Sequence, residues 1–383
     1  MLQFVSSLKG TVFLKAIAAL MAALLSLNLS INTAINEGGE ELDPGDYDNV
    51  ILMIGDGMGF KHIDWMEQEY GIEEANMFTM TQYHGESKTR SSNAVVTDSA
   101  AGATALSCAV RTNNGAVGVF PQDSFGVAYV PMNLSELAHS YGKMTGVVTT
   151  DNNHGATPGG FSAHVFDRDE GEEITRQQIE ESDLDLIWSA TSGLVNDAYA
   201  NEYGWTLLDT KAEFDAVEPG TRSFGQFAGN LWNKDTGADS PNLSEMTIKA
   251  IDMLDDDEDG FFLMVEGAHI DKHSHSNDEP NMKIAALEFD MAVKAAIEYA
   301  KNDGNTLVVI TADHETGAIS FEDGEYQFNQ TGHSGVNVPL LVYGSDNFVK
   351  NGEAINNKEI ARRLAMAMGA TPTEFPNAVK VID

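Results

Sequence analysis

The chain has 383 residues and a lopsided charge, 22 Lys and Arg against 59 Asp and Glu, or −37 at neutral pH. So acidic a surface excludes nucleic acid or an anionic membrane as a structural partner, because both need a positive face. The length and the 42% hydrophobic content suffice for one large α/β domain or two smaller ones, and the single cysteine, Cys108, excludes any disulfide within the chain.

In chain order, residues 1–34 read as a secretory signal peptide. Lys9 and Lys15 precede AIAALMAALLSL, an apolar run of 12 residues that is short for a bilayer span, and Ala34 is the best cleavage position. An uncleaved anchor is the alternative. The protein is therefore expected in the periplasm or secreted, with no stable membrane association once the signal is removed. Residues 35–47, INEGGEELDPGDY, form an acidic linker, and 48–383 read as a single domain without internal repeats.

Within that domain, apolar runs predict strands at 49–55, 143–150, 261–265, 306–311 and 338–344. Helical spacing predicts a small-residue helix over 99–110. Further helices are predicted at NLSELAHSYG, LSEMTIKAIDML and NMKIAALEFDMAVKAAIEYAKNDG, the last ending at a glycine C-cap. Residues 170–245 fit no single pattern. Strands of continuous apolar residues alternating with helices imply a three-layer α/β sandwich, a largely parallel central sheet flanked by helices. Cys108, in SAAGATALSCAV, is expected as a small buried apolar residue.

Three of the strands run directly into acids: Asp56 after ILMIG, Glu266 after FFLMV, and Asp313 with His314 after LVVITA. Ligands of open α/β sheets bind beyond the carboxyl ends of the strands. If these strands are neighbours, their carboxylates crowd one rim, which is costly unless a positive charge sits among them. Asp271, His275 and His333 add to the set, and carboxylates mixed with imidazoles favour zinc or a similar ion. Two dications about 4 Å apart repel by about 16 kcal/mol at an effective dielectric of about 20, so several carboxylates are needed to offset them. The segment DDDEDGFFLMVE also has the spacing of a calcium-binding EF-hand loop, but its second half reads as a buried strand with no exiting helix, so an acidic turn is expected there.

Ser99 lies at the start of the small-residue helix, where the dipole and free N–H groups suit phosphate oxygens. Serine also caps helices for purely structural reasons. In conjunction with the rim residues, the segments IGDGMG, TDSAAGATA, ATPGGFSAHVFDR, VEGAHIDKHSH, TADHETG and TGHS occur in the order found in the alkaline phosphatase family, which the chain resembles from about residue 48 to residue 344.

The resemblance implies a catalytic domain with an alkaline-phosphatase-like fold that hydrolyses small-molecule phosphate monoesters, with two Zn2+ and one Mg2+ as cofactors. Ser99 would be the nucleophile, phosphorylated and then released by water. Asp56, Asp313 and His314, with Ser99, would hold one zinc; Asp271, His275 and His333 would hold the second; Asp56, Thr157 and Glu266 would bind magnesium. Arg168 would grip two phosphoryl oxygens with its planar fork, and Lys272 would contact phosphate through water. His269 and His273 match no ligand position. A homodimer is implied by relatives alone. Where relatives carry Asp or His two residues before the magnesium threonine, this chain has Gly155, a departure that bears on the occupancy and affinity of the magnesium site. Only 18 residues separate His314 from His333, so the crown-like insertion of larger relatives is much reduced, and an open pocket and broad specificity are expected. The rival readings are a phosphodiesterase or nucleotide pyrophosphatase of the same superfamily, and a non-catalytic acidic protein that binds divalent cations. The acidic surface leads further to an expectation of salt tolerance.

Overall fold

A computed structural model describes residues 45–121, 128–233, 239–255 and 257–382. The signal segment at 1–34 and nearly all of the acidic linker lie outside them.

Ten strands form the central sheet: β1 (Asn49–Gly55), β2 (Tyr83–Lys88), β3 (Met144–Asn152), β4 (Leu186–Ala190), β5 (Thr206–Leu208), β6 (Ser223–Phe227), β7 (Phe261–Gly267), β8 (Thr306–Thr311), β9 (Val338–Tyr343) and β10 (Ala354–Asn356). Their spatial order is β10-β2-β9-β8-β1-β7-β3-β4-β6-β5. The seven strands from β8 to β5 pair in parallel, and β9 runs antiparallel between β8 and β2.

Alternation along β1 shows why the runs are apolar throughout. Ile51 and Met53 join a core cluster with the helices Phe60–Tyr70, Leu243–Leu254 and Glu279–Asp303. Val50, Leu52 and Ile54 join a second cluster with the helices Ser99–Cys108, Leu134–Ser140 and Asn357–Ala367 on the opposite face. With both faces covered, the positions from Val50 to Ile54 are all apolar. This is the expected three-layer sandwich. Among the described residues no helix is long and apolar enough to cross a membrane.

The predicted elements hold, with small differences at their ends. The helix Glu279–Asp303 stops at Gly304, whose φ of +84° is the left-handed conformation that favours glycine. The strand after DDDEDG extends to Gly267 and contains Glu266, so that carboxylate cannot close a calcium loop. Cys108 is fully buried, and burial pushes its thiol pKa well up. The ambiguous stretch contributes β4, β5 and β6, the far edge of the sheet.

Candidate active site

The strands that end in acids are neighbours. β8, β1, β7 and β3 lie side by side, and the Asp56 N–H donates to the Gly267 carbonyl at 3.2 Å, fastening the tips of β1 and β7 together. Asp56, Glu266, Asp313 and His314 therefore meet at one buried rim.

The helix Ser99–Cys108 reaches this rim with its first residue. Asp98 is the cap, accepting from Ala101 N at 3.0 Å, which leaves the Ser99 hydroxyl free of capping duty. Ser99 Oγ lies 3.1 Å from His314 Nε2. Gly102, one turn further, allows the approach, since a Cβ there would lie 2.9 Å from Asp313 Cβ. The other Asp98 oxygen accepts from Gly115 N at 2.8 Å and meets Arg168 Nη1 at 3.4 Å, so the guanidinium is tied to the residue next to the serine.

Around His314 Nε2 stand Asp56 Oδ1 at 3.5 Å and Asp313 Oδ2 at 3.3 Å. Neither oxygen has a hydrogen-bond partner. Asp271 approaches the same place, because Asp56, Asp271 and His314 bring ligand-type atoms within 4.8 Å of one another. Asp271 also faces the second group, with His275 Nε2 at 3.2 Å and His333 Nε2 at 3.6 Å, so it stands between the two. Gly57, at φ +70°, lets this happen: a Cβ would sit 2.8 Å from both Asp271 Cβ and Thr316 Oγ1.

The protonation pattern follows from the partners. His333 Nδ1 faces the Thr97 carbonyl at 3.0 Å and His275 Nδ1 faces the Thr331 carbonyl, so both Nδ1 atoms carry the proton and both Nε2 atoms present lone pairs. Those lone pairs point at each other across 3.1 Å and toward a carboxylate. Thr316 Oγ1 donates to Asp271 and is left to accept from His314 Nδ1 at 3.3 Å, which turns the lone pair of His314 Nε2 toward Ser99. Burial keeps the His314 pKa below its ordinary value. The Asp56 carboxyl is raised well above the usual carboxylate range, first by burial and then by the charges of Asp313, Asp271 and Glu266. His275 is drawn upward, first through its hydrogen bond with Asp271. Unpartnered carboxylate oxygens and converging imidazole lone pairs are the donor set of a transition-metal centre, with each second ring nitrogen anchored on a carbonyl or hydroxyl.

Thr157 is buried on the short helix Ala156–Gly160 and its Oγ1 makes no hydrogen bond of ordinary geometry. Glu266 lies opposite Thr149 in the β3–β7 register and accepts its hydroxyl proton. Lys272 is ion-paired with Asp151. His269 and His273 turn away from the cluster onto Trp232, with ring centroids 5.4 and 4.4 Å distant. Asp98, Asp151 and Thr316 are the additions that sequence reasoning did not assign; for Asp98 the N-cap pattern was the available signal.

A sequence model described as alkaline phosphatase matches residues 47–193 and 188–330. The chain belongs to the alkaline phosphatase family. Alkaline phosphatase 4 of Bacillus subtilis is 33% identical over 301 residues, covering 73% of this chain and 64% of that protein. The Escherichia coli alkaline phosphatase is 31% identical over 386 residues, covering 77% and 81%. The structure of alkaline phosphatase from the Antarctic bacterium TAB5 matches with a TM-score of 0.74 at 30% identity, covering 86% of this chain and all of that one. A histidine-to-aspartate variant of the TAB5 alkaline phosphatase, with magnesium bound, matches equally well at a TM-score of 0.74. This chain thus spans about two thirds of the Bacillus alkaline phosphatase, 64% of its length.

Proposed function

We propose that the protein is a metal-dependent phosphate monoester hydrolase acting through a phosphoserine at Ser99. The observation that carries this reading is the 3.1 Å approach of Ser99 Oγ to His314 Nε2, amid unpartnered acids and beside the tethered Arg168. Family membership supports the chemistry, and the donor sets support the metals. Asp56, Asp313 and His314 with Ser99 would hold one zinc, Asp271, His275 and His333 a second, and Glu266, Thr157 and Asp56 an oxygen-only magnesium site. When bound, such ions lower the pKa of a ligated hydroxyl and neutralise charge on the oxygens of the transferring group.

The chain's own residues do the rest. Arg168 offers two parallel N–H groups to phosphoryl oxygens, and Asp98 fixes its direction. The Ser99 oxygen forms a bond to phosphorus while the ester P–O bond breaks and the alcohol leaves. Water then cleaves the serine–phosphate bond, returning the hydroxyl and releasing inorganic phosphate. Among the described residues, the short segment between His314 and His333 folds onto Trp65 through Tyr326 and Phe328, at 5.8 and 5.2 Å between ring centroids, which supports an open pocket and broad specificity. Exposed Val95, Val96 and Val336, the first and last at 80% and 54% exposure, support a homodimer, which light scattering tests. Export from the cytoplasm rests on the charged and apolar pattern of residues 1–34.

The direct test is turnover of an aryl phosphate by purified protein before and after chelation, with Zn2+ and Mg2+ restored, beside a phosphate diester and a sulfate ester. Monoester turnover that disappears on chelation and in Ser99→Ala is expected. Preference for the diester, or metal binding with no turnover, would point to the rival functions.

A further inference from the structure

Gly155 occupies the place where the resemblance leads one to expect an acid or a histidine. Its backbone, at φ −52° and ψ 155°, is open to any residue, so conformation does not explain the glycine. Space does. A Cβ at position 155 would lie 2.6 Å from Asp151 Oδ2 and 2.9 Å from Asp151 Cγ, so the carboxylate of Asp151 already fills the room that a side chain would use.

We propose that Asp151 replaces the side chain missing at position 155, closing the third cation site beside Glu266 and Thr157 and holding Lys272 at its rim. Asp151 reaches this position from the end of β3. The strand is irregular between Val148 and Asn152, and there Asp151 meets Thr149, the register partner of Glu266. Asp151 N donates to Thr149 Oγ1 at 2.8 Å, and Thr149 donates in turn to Glu266, which joins the Asp151 backbone to the Glu266 carboxylate through one hydroxyl. Asp151 Oδ1 accepts from Asn152 N at 2.7 Å and from Lys272.

A further observation points to a ligand. Thr157 Oγ1, on a residue only 1% exposed, makes no hydrogen bond of ordinary geometry. The donors at this end of the rim are all oxygens, in contrast to the imidazole-bearing groups, and that is the chemistry of a hard ion such as Mg2+, which keeps several of its waters. Asp151 acts on it as a positioning residue, accepting from those waters and fixing Lys272 on the phosphate side.

The inference rests on the proposed phosphatase function, and its test is read separately from turnover. Protein stripped by a chelator and reloaded with Zn2+ is titrated with Mg2+ by calorimetry, with melting temperature and zinc content followed in parallel. Asp151→Asn, which preserves shape, is expected to weaken Mg2+ binding about 10- to 100-fold, as loss of an outer partner does. Zinc content and the melting temperature without Mg2+ should not change. The double variant Asp151→Ala, Gly155→Asp puts a carboxylate back at the other position and is expected to recover most of the affinity. Equal Mg2+ affinity in the wild type and Asp151→Asn overturns the proposal, and so does a wild-type protein that binds no Mg2+. An inert wild type whose Mg2+ affinity still falls in Asp151→Asn would remove the phosphatase function and leave the role of Asp151 standing.

Discussion

His275 and His333 present their Nε2 lone pairs to each other across 3.1 Å, with an Asp271 oxygen within 3.6 Å of each. Both rings are held in that attitude by backbone carbonyls, so the convergence belongs to the fold. Chelation should therefore lower the melting temperature and Zn2+ should restore it. A ligand present at 100 times its Kd adds about 2.7 kcal/mol of stability. His333→Ala should bind one fewer zinc and gain less on zinc addition. Metal analysis with thermal melting checks this, and identical zinc content in the variant would contradict it.

Asp98 caps the helix, accepts from Gly115 N and ties Arg168. Asp98→Asn keeps an acceptor for Ala101 N but puts an NH2 where an oxygen now accepts from Gly115 N and meets Arg168, so about 1–3 kcal/mol of stability should be lost and inorganic phosphate should inhibit less tightly. A partly exposed pair at 3.4 Å is worth about 0.2–1 kcal/mol, or up to about five-fold in the inhibition constant. Asp98→Ala should lose the cap as well and cost about 1 kcal/mol more in stability. Denaturant titration and phosphate inhibition read the two effects independently.

Gly57→Ala puts a methyl group 2.8 Å from Asp271 Cβ in a left-handed turn. Overpacking costs about 1–3 kcal/mol, and turnover should collapse because Asp271 must move. Gly71, also left-handed at φ +63°, has nothing within 4 Å of the added carbon. Gly71→Ala should cost about 1 kcal/mol of strain and leave turnover intact. Activity lost equally in both would show that crowding at Asp271 is not the cause.

His62 is fully buried, accepting from Gly59 N at 3.1 Å through Nδ1 and bonded to Ser274 Oγ at 3.0 Å. Burial lowers its pKa to about 4. The native state therefore refuses a proton that the unfolded chain accepts below about 6.5. The stability tied to a neutral His62 is complete above that pH and is lost as the pH falls through 4. Urea midpoints of the chelated protein should drop more between pH 7 and pH 5 in the wild type than in His62→Gln. Parallel pH profiles would contradict this assignment.

The net charge of −37 also implies a salt response. Raising salt from about 0.1 M to 1 M shortens the screening length from about 10 Å to about 3 Å. The melting temperature should rise over that range; indifference to salt would remove the expectation of salt tolerance.

The fold was most readable where strands are buried on both faces. β1 and β8 have the predicted bounds because uninterrupted apolar residues leave no competing pattern. β5, with an exposed Thr206, and the short β4 and β6 carry a weaker signal and were not read. β2, YHGESK, is mostly polar and becomes a strand only by pairing with β9 and β10. At the rim, the acids and histidines stood out by type and place. Asp151 did not, because its role depends on the space above Gly155, and distances between a strand end and a later helix are not written in local spacing. Thr316 was missed for the same reason: a lone threonine gains meaning only from its contacts with Asp271 and His314.

The central claim is that Ser99 carries the phosphoryl group between substrate and water. Acid-quenching the zinc-loaded enzyme during turnover of an aryl phosphate, followed by peptide mass spectrometry, tests it most directly. One phosphoryl group is expected on the peptide containing Ser99, and none in Ser99→Ala. Sustained turnover with the group on another residue, or in Ser99→Ala at the wild-type rate, would contradict it.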